Sequence, residues 1–184
     1  TPGVPQAHQP SGGPSAGRLG MILFLAALGV LFAASMTGYL VVRSRAVVWP
    51  PEGSPRLPGG LWLSTLVLLA SSGTMQWALG AAKAGRRAAL RNGLVVTLVL
   101  GLAFLVNQLL SWQHFLAAHH LAPQKNLYAF TFYLLTGLHG AHVVGGLAAL
   151  VVSVAHAGQG RYTQTNYAGV EYMSMYWHFL DAVW

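Results

Sequence analysis

The chain contains no cysteine, which excludes disulfides, thiolate metal ligands and thiol catalysis. It is almost as poor in charge: 7% of its 184 residues are Asp, Glu, Lys or Arg, where soluble domains carry about 25%. Acid is scarcest, with three Asp+Glu against ten Lys+Arg. The period-2 alternation that builds a barrel is missing too, so a chain that spans a membrane must do so with helices. What is present is apolar side chains, 54% of the total, gathered into runs of about 20, the length of a membrane-crossing helix. The composition predicts an all-α fold, a polytopic transmembrane bundle of five spans. The basic excess does not point to nucleic acid, because the cations sit in loops beside the apolar runs, where membrane topology places them.

Residues 1–18 are rich in Pro, Gly and Ser and offer no apolar face, so they read as a flexible extramembrane tail. Residues 19–184 form the membrane domain. The first span, 19–42, is closed by Arg43 and Arg45, and its Gly29, Ala33 and Thr37 recur at every fourth position. Such a stripe of small residues suits close helix packing. A loop broken by four prolines follows, with Glu52 solvated and Trp49 and Trp62 at the interfacial edges. The second span, 61–82, has a polar middle of Ser71, Ser72, Thr74 and Gln76, suited to interhelix hydrogen bonds of roughly 0.6–2 kcal/mol each. Lys83, Arg86, Arg87 and Arg91 then crowd a short loop. The third span, 94–112, carries Asn107, Gln108 and Ser111 and leads to His114, His119 and His120, expected in a loop or at a helix edge without a carboxylate to complete a metal site.

The fourth span covers 128–155 and the fifth begins near 167. The fifth run stops after about 16 residues, or about 24 Å against a ~30 Å hydrocarbon core; the expectation is that the native protein continues past Trp184. Six basic residues fall on the side of the N-terminus and four on the other, which predicts a cytoplasmic N-terminus and a periplasmic C-terminus.

Ionisable groups inside apolar spans are costly and usually functional, and here they gather in the last two spans. On a helix, Glu171, Ser174, His178 and Asp181 fall within roughly 80° of one another, with Met173, Trp177, Leu180 and Trp184 opposite as the lipid-compatible side. The fourth span has a face of Thr131, His142, Gly145, Ala149 and Ser153, with His139 at its edge. Gly145, Ala149 and Ser153 repeat the close-packing spacing. Contact between these two polar faces would satisfy groups that otherwise cost several kcal/mol each (about 2–7). The pattern admits three readings: haem ligation by His139, His142 and His178, a proton relay through His178 and Asp181, and a structural network.

The run FYLLTGLHGAHVVGG, followed by GVEYMSMYWHFLDAVW, resembles subunit III of the haem–copper respiratory oxidases. The match rests on Thr136, Gly137, His139, Gly140, His142, Gly145, Glu171, Tyr176, Trp177, His178, Phe179, Asp181 and Trp184, with weaker similarity through GMILF and LLASSGT. The resemblance implies a short five-span form in the bacterial inner membrane and no cofactor on this chain, the haem and copper lying in partner subunits. It implies packing against the catalytic subunit I, bound phospholipid, and a non-redox accessory role in a proton-pumping complex that reduces oxygen to water. It also exposes two departures: Leu28 and Ser111 stand where the family often has acidic residues, which weakens any proton-path role that needs them.

A subunit III-like protein of a nitric oxide reductase is the near alternative. A di-haem membrane cytochrome is the remote one, and a transporter lacks the internal repeat it should show. An absorption spectrum separates the cytochrome from the rest. The isolated chain is expected to show no Soret band, and one retained after removal of partners would identify haem ligation.

Overall fold

A computed structural model describes residues 16–49, 59–119 and 127–184. These form five helices: α1 (Ala16–Arg45), α2 (Gly60–Lys83), α3 (Arg87–His119), α4 (Leu127–Gly158) and α5 (Ala168–Val183). Among the described residues, α1, α3 and α4 are long and apolar enough to cross a membrane. The helices outrun the apolar windows, α3 by seven residues at each end, because a backbone already paired within the helix continues into the headgroup region at little cost. His114 therefore sits on α3 rather than in a loop, and His119 is that helix's last residue. His120, Glu52 and the four prolines lie outside the described residues, as does most of the N-terminal tail.

Two helix ends are closed by glycine. Gly85 takes φ +67° after α2; its N–H donates to the Ala82 carbonyl at 3.0 Å and that of Arg86 to Ala81 at 2.9 Å. Gly160, at φ +69°, repeats the arrangement after α4, with its own N–H on Ala157 and that of Arg161 on His156, both at 3.1 Å. These are Schellman motifs, which need a residue in the left-handed region, and glycine occupies it without a Cβ clash.

Helices α2, α3, α4 and α5 close into a ring of antiparallel neighbours, α2 touching both α3 and α5. Helix α1 lies outside the ring against α5 and α4, and none of its Cα atoms comes within 8 Å of one in α2 or α3. Of its thirty residues only Leu28 is buried. Rings hold it in place: Phe24 stacks on Tyr176 with centroids 6.0 Å apart, and Phe32 meets Phe179 at 6.2 Å and His142 at 5.3 Å.

The centre of the ring is Trp177, 1% exposed. A Cβ at Gly101 of α3 would sit 2.9 Å from the indole, and one at Gly146 of α4 3.2 Å from it; the two glycines make the slot that the indole fills. This reverses the expected orientation of α5. Met173, Trp177 and Leu180 form the buried side, because lipid offers an apolar side chain nothing that a close-packed protein interior does not also offer, and packing decides. The closest backbone approaches also differ from the stripes seen in sequence. At Gly29 and Gly145 an added Cβ would meet its nearest neighbour at an ordinary 3.8 Å, whereas at Gly93 it would lie 2.8 Å from Ala78.

Gly101→Leu or Gly146→Leu should therefore eject the indole and cost at least about 1–3 kcal/mol, read as a lowered unfolding midpoint in detergent. Gly38→Ala, where nothing lies within 4 Å, should not lower the midpoint, since alanine favours the helix over glycine.

Candidate functional site

The polar residues of α5 do lie on one flank, but that flank faces α2. His178 is held at both ring nitrogens: Nδ1 is 2.7 Å from Ser72 Oγ, and Nε2 is 3.2 Å from Gln76 Oε1. An amide oxygen only accepts, so Nε2 carries the proton, and the neutral ring's Nδ1 accepts from the Ser72 hydroxyl. Ser72 also borders Asp181, whose carboxylate oxygens are shielded and reach no hydrogen-bonding geometry with the described residues. Ser174 is buried on the same flank, and Glu171 is half-buried in the first turn of α5, where a carboxylate suits the helix dipole.

The expected meeting of the α4 and α5 polar faces does not occur. His142 turns toward Phe32 of α1, and its Nδ1, 2.8 Å from the Leu138 carbonyl, donates to it within α4. The hydrogen bond between α4 and α5 is instead made by Tyr176, whose hydroxyl donates to the His142 carbonyl at 2.9 Å. With Trp177 seated in the ring, the α5 residues on its two sides reach different neighbours, His178 going to α2 and Tyr176 to α4. Two rotational positions separated by about 100° per residue cannot both face one helix.

His139 is 2% exposed and ringed by aromatic groups: Trp184 at 4.9 Å, Phe104 at 5.5 Å and Phe32 at 6.4 Å between centroids. Both its nitrogens are enclosed without a hydrogen-bond partner among the described residues, as are both amide atoms of Gln108 on α3. The three histidines of the haem reading do not share one site: His139 and His142 both border Phe32 of α1, and His178 lies against α2. His178 is committed to α2, His142 faces α1, and His139 is closed in by rings. Among the described residues, no three His, Asp or Glu side chains converge as a metal-holding group.

Sequence reasoning overlooked the indoles as polar anchors. Trp177 Nε1 donates to Ser71 Oγ at 3.0 Å, Trp184 Nε1 to Thr65 Oγ1 at 3.1 Å, and Trp112 Nε1 to Thr136 Oγ1 at 3.0 Å. A buried indole needs an acceptor, and hydroxyls one helix away were the available signal. Asn107 similarly ties α3 to α2, its Nδ2 donating to the Gly60 carbonyl at 2.8 Å and to Ser64 Oγ at 2.7 Å. The hydroxyls of Thr74 and Thr97 meet at 2.8 Å across the same pair. The polar middle of α2 thus serves as the interhelix bonding strip that its composition suggested.

A cleft of about 1170 Å³ opens between α1 and the ring, at the end of the molecule where α5 stops. Gly29, Phe32 and Ala33 form its α1 wall, with Tyr39 and Arg43 farther along, and His139 and Trp184 close its inner end. Trp49 stands at the mouth, 5.9 Å from the Tyr39 ring and 5.3 Å from that of Tyr128. The walls are mainly apolar and aromatic, with Thr65, Thr131 and Thr136 among them and one cation, Arg43.

The family described as cytochrome c oxidase subunit III matches residues 14–184. Cytochrome c oxidase subunit 3 of Synechocystis is 36% identical over 189 aligned residues, covering all of this chain and 77% of that protein. The probable cytochrome c oxidase subunit 3 of Mycobacterium leprae is 34% identical, covering 93% of this chain and 84% of its own length. The lancelet Branchiostoma lanceolatum has a cytochrome c oxidase subunit 3 that is 33% identical over 91% of this chain and 65% of the relative. Matched along nearly its whole length, the chain belongs to the cytochrome c oxidase subunit III family.

Proposed function

We propose that the chain is a non-redox accessory subunit that braces the catalytic haem–copper subunit of a proton-pumping oxidase, with haem and copper confined to its partners. In this reading all five helices cross a bacterial inner membrane, with the N-terminus cytoplasmic and the C-terminus periplasmic. The observation that carries it is the His178 cluster. Gln76 is exposed and His178 and Glu171 are half-buried, yet they stand on helices embedded in an apolar bundle. Ionisable groups left against hydrocarbon are costly, and in such proteins they face protein or water. The flank therefore calls for a partner subunit, and the nearly unburied α1 supplies further free surface beside it. The hydrogen bonds at both ring nitrogens of His178 support bracing over ligation by that residue. The nitric oxide reductase alternative gains no support, since the relatives are oxidase subunits.

We further propose that the cleft along α1 holds a phospholipid, its phosphate at Arg43 and a chain against Gly29 and Ala33. The cleft exceeds the usual ligand pocket of about 300–1,000 Å³ and is lined as hydrocarbon requires. Ala33→Trp should lower the phospholipid retained after purification without dissociating the complex; unchanged lipid would sink this part of the reading.

His178→Leu tests the brace. It removes two bonds between α2 and α5, each worth roughly 0.6–1.7 kcal/mol, and should loosen co-purification with the catalytic subunit or speed inactivation during turnover. The initial rate of oxygen reduction should stay near that of the wild type. Immediate and complete loss of activity in an intact complex would instead mean that His178 takes part in the chemistry.

A further inference from the structure

Gln108 is a buried polar residue that neither the interhelix bonds nor the cleft accounts for. It is 2% exposed, and neither of its amide atoms has a hydrogen-bond partner among the described residues. Its surroundings follow from the register of the seam between α3 and α4. A Cβ at Gly101 would touch Leu147, and Trp112 bonds to Thr136, so eleven residues forward along α3 match eleven back along α4. Seven residues forward from Gly101 stands Gln108, and seven back from Leu147 stands Gly140. In helical projection Gln108 lies within roughly 40° of Gly101 and Trp112, and Gly140 within roughly 40° of Leu147 and Thr136. The two residues thus occupy the middle of the seam at one depth, opposite each other.

Gly140 does not serve close approach. The buried glycines among the described residues are Gly93, Gly101, Gly140 and Gly146. An added Cβ would lie 2.8 Å from a neighbouring side chain at Gly93 and Gly101 and 2.9 Å from one at Gly146, but at Gly140 it would meet nothing within 4 Å. The glycine facing the unpaired amide is therefore the one of the four whose missing side chain no neighbour has filled. Alanine would fit there and would favour the helix, so what glycine keeps is room beside a polar group. The side chains of α4 do not pair with that group. Thr136 Oγ1 is engaged with Trp112 Nε1 and the Phe132 carbonyl. His139 lies about 100° away around the helix, against Phe104 and Trp184. The backbone remains: the Thr136 carbonyl, paired within the helix to the Gly140 N–H, keeps a second lone pair, and no Cβ at position 140 covers it.

We propose that the space between Gln108 and Gly140 is an internal water site, the water bonding to the Gln108 amide and the Thr136 carbonyl. A buried amide without a partner is strongly unfavourable, and buried waters typically resolve such sites with two to four hydrogen bonds. Water suits this one because it both donates and accepts: the amide offers N–H and oxygen, while the carbonyl only accepts. An apolar occupant of the same size would leave the amide orphaned. The water would tie α3 to α4 halfway between the Trp112–Thr136 bond and the Gly101–Leu147 contact. The site is internal to the bundle, so it stands or falls apart from the bracing and cleft readings.

The test is a density map of the purified assembly at a resolution that shows ordered water, joined to a mutant cycle on the same assembly. The map should place a water within hydrogen-bond distance, about 2.7–3.2 Å, of Gln108 Oε1 or Nε2 on the side facing Gly140. A map without water there, or with the amide bonded directly to protein, overturns the proposal. Gly140→Ala puts a methyl group into the space. Displacing a bound water orphans the amide, so the unfolding midpoint in detergent should fall, whereas in an empty space helix propensity should raise it. In a Gln108→Met background no amide is left to orphan, and Gly140→Ala should leave the midpoint unchanged or raise it. A midpoint that fails to fall in the wild-type background overturns the proposal. An equal fall in both backgrounds means that the methyl collides with the packing itself, and overturns it too.

Discussion

One side chain binds the ring of helices together. The Trp177 indole enters from α5, fills the slot left by Gly101 of α3 and Gly146 of α4, and donates its N–H to Ser71 of α2. Four helices thus meet at one residue, and each contributes what the indole lacks: room on two sides and an acceptor on the third. In a medium as apolar as leucine, solvent does not push helices together, and packing with interhelix hydrogen bonds must do so. Placing Trp177 inward leaves the rest of α5 little freedom. His178 and Asp181 must then lie along α2, and Tyr176 along α4.

That constraint shows why parts of the structure could be read from the sequence and others could not. The helices were legible because a membrane admits few backbone solutions, and uninterrupted apolar runs select one of them. The bonding strip on α2 was legible because Ser71, Ser72, Thr74 and Gln76 have no other use in an apolar span. The direction of α5 was not. Its helical period correctly groups Glu171, Ser174, His178 and Asp181, but period alone does not say which group is outside. The rule carried over from soluble proteins, apolar side inward, gives the right answer here for a different reason: the indole fits a slot. Gly101 and Gly146 stand among 22 glycines, and nothing local marks those two as facing an aromatic ring on another helix.

The small-residue stripes show the same limit from another direction. Gly29/Ala33 and Gly145/Ala149 have the spacing of close-packing seams, yet they flank open volume on either side of α1. Gly29 and Ala33 line the large cleft, and Gly145 and Ala149 line a smaller recess beneath Phe24 and Tyr172. Small residues permit close approach without compelling it; where no helix arrives, the same stripe leaves a groove. A seam and a groove are therefore identical in one chain's sequence, and only the presence of a second surface distinguishes them.

The attachment of α1 follows from that ambiguity. It has no hydrogen bond to another helix among those of the described residues; its Ser35, Thr37 and Ser44 hydroxyls all turn back to carbonyls of α1 itself. Contact is made by Phe24, Phe32 and the one buried residue, Leu28, and by Gly17, which lies close against Tyr172. Ring and aliphatic contacts are individually weak and tolerate sliding, unlike the directional bonds joining α2 to α3 and α5. A carboxylate at position 28, as the resemblance to subunit III suggests for other members, would be buried in this seam and would need a hydrogen-bond donor. Leucine keeps the seam dry and lets α1 be held by shape alone. The helix least bonded to its own bundle is thereby also the one with most surface left for another chain.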